Sequence, residues 1–247
     1  MPYKEKKSGM KIYQTKPRLV FSIKNQVYKF FDASNECKDE VGAIKSSLLQ
    51  SQLDPISGYT IKIVEIIQSF DNYYIMKMAK GVELSTQLDK GMCNLAGCWL
   101  RVFHESSGRN NSNSTFLFGD FSTSHLYIDS KYKEITAIDP GTGFGKTGEI
   151  EDDISRFLVS LLQTKKFNII KLNRNIAGFL SGYGVDKIKY FNLDKFIKFR
   201  ISRNYEKRIT LDTGLKRFFS AYFWLANSTI KYYFINKNLK KEIKNEY

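Results

Sequence analysis

Asp120, His125 and Asp139 are the residues whose types and spacing suit chemistry. They share one run, LFGDFSTSHLYIDSKYKEITAID, ending at Asp139. Two carboxylates and an imidazole gathered at one place can hold a divalent cation and orient a hydroxyl for proton removal. The same run also reads as a plain hairpin with solvated acids, and residue types alone leave the two readings level. The elements between the three residues bear on the choice. HLYID and EITAID both alternate apolar and polar residues, which is a strand pattern, with a turn at Ser130 to Tyr132 between them. An antiparallel pair of such strands returns Asp139 to the edge where Asp120 and His125 stand.

The flanking chain supplies further elements. Leu84 to Ser106 carries Leu88, Met92, Leu95, Trp99, Leu100 and Phe103 at helical spacing, and the polar run GRNNSNS (108–114) follows as a connector. Glu149 to Leu162 predicts a helix opening on Glu151, Asp152 and Asp153, where acids suit the positive helix end. Upstream, Arg18 to Asp32 splits into two strand-like runs about Lys24-Asn25-Gln26, with Lys29 in the second. Asn35 to Gln50 predicts a helix with Glu36 and Glu40 one turn apart. Tyr59 to Ile67 and Asn72 to Met78 predict two more strands. Phe167 to Tyr183, Leu193 to Ile201 and Thr213 to Tyr233 read as helices. The terminal KNLKKEIKNEY is expected to fray, and residues 1–17 read as a leader. PGTGFGKTG (140–148) invites a phosphate-loop reading. That motif needs four residues between its first glycine and Gly-Lys-Thr; Gly141 is one residue too close, and Pro140 stands where the glycine belongs.

At 247 residues the chain can bury a proper core, and its 15% aromatic content argues against disorder. Cys37, Cys93 and Cys98 have neither metal-ligand spacing nor a disulfide framework, which leads one to expect a reducing cytoplasm. The N-terminus lacks the apolar stretch of a signal peptide, and no apolar run is long enough to span a membrane. Net charge is +14, and from Lys187 to Tyr247 there are 15 Lys/Arg against 5 Asp/Glu, or +10. A basic end of this kind attracts an anionic partner such as a phosphorylated glycan or an anionic membrane surface. RFFSAYFWLANSTIKYYF is apolar on more than one face, suited to packing as a last helix or to lying on a membrane with its basic flanks on anionic lipid. No nucleic-acid recognition motif is present, so no specific nucleic acid is expected.

GDF-x-x-x-H-L-Y-I-D followed by I-D-P-G resembles the catalytic loop and metal-binding segment of the protein-kinase-like phosphotransferases. It is most similar to the aminoglycoside and choline phosphotransferases and to the heptose and Kdo kinases of lipopolysaccharide core assembly. The resemblance implies an α+β, two-lobed protein-kinase-like fold. Residues 18–78 would form a small antiparallel β lobe with one helix that binds nucleotide, and residues 79–247 a larger, mainly helical lobe for catalysis and substrate. It implies that Asp120 takes the acceptor hydroxyl's proton, while His125 and Asp139 hold the Mg²⁺ that bridges the phosphates of ATP. Lys29 would contact the α- and β-phosphates and pair with Glu40, with Glu36 as the alternative. The backbone of Met76 to Ala79, Met76 and Met78 included, would supply donors and acceptors to the adenine, and Asp153 would brace the catalytic loop by accepting backbone N–H bonds. His104 becomes a structural histidine, and Lys146 reaches toward an anionic substrate. Phe179-Leu180-Ser181-Gly182-Tyr183 resembles the Phe-x-x-Gly-Tyr of the same kinases. The implied acceptor is a sugar or glycolipid in the cytoplasm, with peripheral contact to the anionic inner membrane.

The chain also departs from that pattern. Phe118-Gly119 precedes Asp120 where His-Gly or His-Arg is common, and Pro140-Gly141 follows Asp139 in place of Phe-Gly. No glycine lies between Lys11 and Glu40, so phosphate contacts from the first hairpin fall to backbone N–H groups or to Lys24. A kinase-shaped scaffold without catalysis, and a kinase of an aminoglycoside or choline, are the alternatives.

Overall fold

Strand alternation in the first third of the chain decides which side chains are covered. The computed structural model describes residues 10–14, 19–46, 51–107, 115–141, 144, 146–163, 168–210 and 215–244. In it β1 (Met10–Gln14), β2 (Val20–Ile23) and β3 (Gln26–Phe30) are antiparallel neighbours. α1 (Ser34–Ser46) follows, then β4 (Gln52–Leu53), β5 (Thr60–Ile63), β6 (Ile66–Ser69) and β7 (Tyr73–Lys77). The first sheet runs β1-β2-β3-β7-β6. Val27 and Lys29 are the buried residues of β3, and α1 contributes Cys37, Val41 and Ile44 to the core beside it.

Two expectations are corrected here. Met10–Gln14 is not leader: Ile12 sits opposite Phe21, and the pairing extends the sheet by one strand. The rest of the leader, residues 1–9 and 15–17, lies outside the described residues, as do Arg18, residues 47–50 of the first predicted helix and the connector 108–114. The single strand expected over Tyr59 to Ile67 is two strands in different sheets. The break falls where Val64 N–H donates to the Ala137 carbonyl while the next carbonyl, Glu65, accepts from Lys77 N–H. Adjacent residues bond to different sheets, so the chain crosses there.

β8 (Val82–Glu83), α2 (Lys90–Ser107), β9 (Thr115–Phe116), β10 (Leu126–Asp129), β11 (Glu134–Ala137) and β12 (Thr147–Gly148) come next. The second sheet runs β4-β5-β11-β10-β8. Leu126 faces Ala137 across the expected hairpin, and β5 lies parallel to β11 with Ile61 opposite Ile135. The hairpin turn is closed by Asp129, whose Oδ1 accepts from Lys131 and Tyr132 N–H at 3.0 and 3.2 Å.

α3 (Ile150–Leu162), α4 (Ile169–Tyr183), α5 (Tyr190–Thr210) and α6 (Leu215–Lys244) complete the chain. α2 and α4 meet almost backbone to backbone. A Cβ on Gly182 would fall 2.0 Å from the Asn94 carbonyl oxygen, and one on Gly97 would fall 2.1 Å from that of Phe179. Trp99 stacks on Phe103 and Phe121 beneath the second sheet and donates from Nε1 to the Lys62 carbonyl at 3.0 Å. α6 continues through the stretch expected to fray, because Leu239 and Ile243 are buried and anchor it.

Candidate active site

The loop carrying Asp120 is held by its backbone. Asp153, in the first turn of α3 and wholly buried, accepts from Phe118 N–H at 2.6 Å through Oδ2 and from Gly119 N–H at 2.9 Å through Oδ1. His104 Nε2 lies 3.2 Å from Asp153 Oδ2, and its Nδ1 lies 2.9 Å from the Tyr183 hydroxyl. A carboxylate only accepts, so Nε2 carries the proton and Nδ1 accepts from the phenol. Burial, then the acids Glu151 and Asp153, push the Tyr183 phenol up, so it stays a donor. Phe118 is fully buried, edge-on to Trp99, Phe103, Phe121 and Phe144. Its carbonyl accepts from Gly141 N–H at 3.1 Å. Gly119 has φ 84°, and a Cβ on Gly141 would fall 2.6 Å from the Gly119 carbonyl. Both departures around the loop, Phe118 and Pro140-Gly141, thus serve its packing.

His125, at the end of a single 3₁₀ turn (Thr123–His125), places Nδ1 2.8 Å from the Asp120 carbonyl. In its neutral form that nitrogen must carry the proton, which leaves the Nε2 lone pair 3.8 Å from Asp139 Oδ2. Asp139 follows β11 with φ 53°, just after Ile138 N–H donates to the His125 carbonyl at 2.9 Å. Two atoms 3.8 Å apart can share one ion at the roughly 2.1 Å bond length of Mg²⁺. Mg²⁺ ordinarily takes one or two protein groups and completes its shell with phosphate oxygens and water. Among the described residues no group of three or more His, Cys, Asp and Glu could hold an ion unaided. The pair therefore fits an ion that arrives with phosphates, with Asp139 the stronger ligand because Mg²⁺ prefers oxygen to imidazole.

Lys29 reaches the same point from β3. Its Nζ is 2.7 Å from Glu40 Oε1 and also pairs with Asp139 Oδ1. Its side chain is only 4% exposed, so a charge there requires acid partners. Tyr74 donates to Glu40 at 2.7 Å, and burial together with Glu40 pushes its phenol well up. Glu40 is the acid that meets Lys29; Glu36 lies exposed in the first turn of α1. Met76 is buried in β7 opposite Val27, and Met78 N–H donates to the Asn25 carbonyl at 3.0 Å.

No family model matches the chain, and no curated protein matches it in sequence. Among solved structures it is similar to an amicoumacin kinase complexed with AMP-PNP and Ca²⁺, at 11% identity and TM-score 0.61 over 93% of this chain and 90% of that one. A glucosamine kinase with glucosamine, ADP and phosphate gives 8% identity and TM-score 0.57 over 97% and 84% of the two chains. An aminoglycoside phosphotransferase from Streptomyces rimosus gives 8% and 0.55 over 78% and 92%. The chain has the protein-kinase-like fold.

Within this kinase-like fold a cleft of about 790 Å³ opens beside Asp120, lined also by Ser122, His125, Arg156, Lys171 and Arg200. Asp120 is half exposed to it. Arg156 Nη1 stands 3.8 Å from Asp120 Oδ1 and Nη2 3.8 Å from Asp152 Oδ2, while its Nε is buried with no hydrogen-bond partner among the described residues. Arg200 donates from Nε to Ser155 Oγ at 3.0 Å and pairs with Asp152. Three cations, Arg156, Lys171 and Arg200, thus gather around Asp120, with Asp152 pairing to both arginines. Arg156, Arg200 and Tyr74 escaped the sequence reading. Only Arg156 left a signal, one turn after the acids that open α3. Lys24 sits in the β2–β3 turn, at the opposite end of β3 from Lys29. Lys146 is exposed and its carbonyl accepts from Leu117 N–H at 2.9 Å, while residues 142, 143 and 145 of the same loop lie outside the described residues.

Proposed function

We propose that the chain is an ATP- and Mg²⁺-dependent kinase that phosphorylates a hydroxyl of an acidic sugar, in lipopolysaccharide core or another acidic glycan at the cytoplasmic face of a membrane. The observation that carries this reading is the convergence of Lys29, Glu40, His125 and Asp139 on one point beside Asp120. In this reading the first sheet, β1-β2-β3-β7-β6, with α1 binds the nucleotide, and the part of the chain from residue 79 on binds the acceptor. Asp139 and His125 hold Mg²⁺, which supplies charge neutralisation on the transferred phosphoryl group when bound. Lys29, kept in place by Glu40, turns from Asp139 to the α- and β-phosphates. Asp120 orients the acceptor hydroxyl from the cleft and accepts its proton. Asp153 keeps that loop in shape. Met76 and Met78 border the adenine; with Met78 N–H engaged by Asn25, contacts there fall to side chains and carbonyls.

Charge selects the acceptor class. Arg156, Lys171 and Arg200 line the cleft. They repel a polycation of the aminoglycoside type and favour a carboxylate or phosphate on the sugar.

Thermal unfolding with ATP, with and without Mg²⁺, tests the reading in the wild type and in Asp139→Ala. At about a hundredfold excess over Kd, ATP with Mg²⁺ raises Tm by roughly 5–10 °C. That rise vanishes without Mg²⁺ and in the variant. No shift under any condition removes the kinase reading.

A further inference from the structure

α6 has two faces. Ala221, Ser228, Tyr232, Ile235, Leu239 and Ile243 are buried where the helix packs on α3, α4 and α5. The other face carries Phe219, Tyr222, Phe223, Ile230, Tyr233 and Phe234, each more than half exposed, with Phe223 at 74% and Tyr233 at 77%. Their spacing of three, four and seven residues puts them on a single stripe. Lys237, Lys240 and Lys241 continue the stripe over the next two turns, and all three are exposed. Scattered apolar residues on a surface are ordinary, but a contiguous aromatic stripe marks a contact.

We propose that this face of α6 docks the protein, helix axis in the plane of the surface, on an anionic lipid membrane. Three features select that occupant. The aromatic residues include tyrosines, whose apolar ring and polar hydroxyl suit the headgroup boundary. The lysines at one end of the stripe carry long apolar stems that lie along the surface while their ammonium groups meet lipid phosphates. The chain carries +14 overall, so a second copy would bring the same cations to the same face, whereas an anionic surface complements them. No helix of the described residues is long and apolar enough to cross a membrane, so the contact is peripheral. The docking rests on exposure and charge; only its purpose, bringing a glycolipid acceptor to the cleft, rests on the kinase reading.

Co-sedimentation of the full chain with vesicles tests it, using phosphatidylcholine alone and phosphatidylcholine mixed with phosphatidylglycerol. The wild type partitions to the mixed vesicles about tenfold more strongly or better. Lys237→Gln, Lys240→Gln and Lys241→Gln together remove that preference. Phe223→Ser with Tyr233→Ser removes binding to the mixed vesicles, with circular dichroism and Tm unchanged because neither residue is in the core. Equal or absent partitioning of the wild type, or full binding by folded variants, overturns the proposal. So does light scattering that shows a wild-type dimer split by the two serine substitutions, which gives the face to a second copy. The Mg²⁺-dependent ATP shift, measured on the same samples, separates the two readings. Vesicle binding without that shift leaves the docking and removes the kinase; the shift without vesicle binding does the reverse.

Discussion

One buried carboxylate, Asp153, sets the shape of the loop that carries Asp120. Its two oxygens accept from consecutive backbone N–H groups, and one of them also meets His104. Asp153→Asn is nearly isosteric, yet an amide has one acceptor oxygen and one donor nitrogen. One of the Phe118 and Gly119 N–H groups then faces another N–H in a site closed to water. The cost is about 2–4 kcal/mol, a fall in Tm of roughly 5–15 °C, and activity falls with it. An unchanged Tm would show that Asp153 does not hold the loop. This role was legible only through the resemblance, because the positive helix end suits Glu151, Asp152 and Asp153 alike and singles out none of them. Lys29, Glu40 and Asp139 were legible only as a set in order along the chain, and their meeting needed three elements to converge. Tyr74 and Arg200 were not legible, because a buried strand tyrosine and one more cation in a basic segment look like packing and solvated surface until their partners are placed.

Among the elements, the α2–α4 pair shows what a glycine is for. Gly182 lies in Phe-x-x-Gly-Tyr, where Phe179 stacks on Phe157 at 4.1 Å and Tyr183 reaches His104. A methyl group at Gly182 would sit 2.0 Å from the Asn94 carbonyl, so Gly182→Ala must push the helices apart. Overpacking of this kind costs about 1–3 kcal/mol, and the displaced Tyr183 also loosens His104. Thermal melts should show the loss, and a variant as stable as wild type would mean the helices slide freely. Helix and strand types were mostly readable from periodicity. The break between β5 and β6 was not: IKIVEII is almost continuously apolar, and a period of two cannot mark where a chain leaves one sheet for another. β1 was hidden in a lysine-rich run whose partner strand alone reveals it. The end of α6 was hidden likewise, since Leu239 and Ile243 read as isolated apolar residues until a helix aligns them.

At the scale of the whole molecule, charge ties the two proposals together. The excess of +10 in the last quarter shares α5 and α6 with the membrane-facing stripe, and α5 also sends Arg200 to the cleft beside Asp120. A field of one sign around a cleft raises the local concentration of an oppositely charged substrate, and salt screens it over roughly 10 Å at 0.1 M. For a soluble sugar phosphate or sugar acid, kcat/KM therefore falls about tenfold between low and physiological salt, mostly through KM. For a neutral sugar of similar size it stays nearly constant, because no long-range attraction is lost. Steady-state kinetics with the two acceptors across a salt series separates these cases. If a polycationic acceptor is turned over more efficiently than the acidic one, and increasingly so as salt is lowered, the cations in the cleft do not choose the substrate and the acidic-acceptor reading fails, while the nucleotide site proposed at Lys29 and Asp139 is decided by its own measurement.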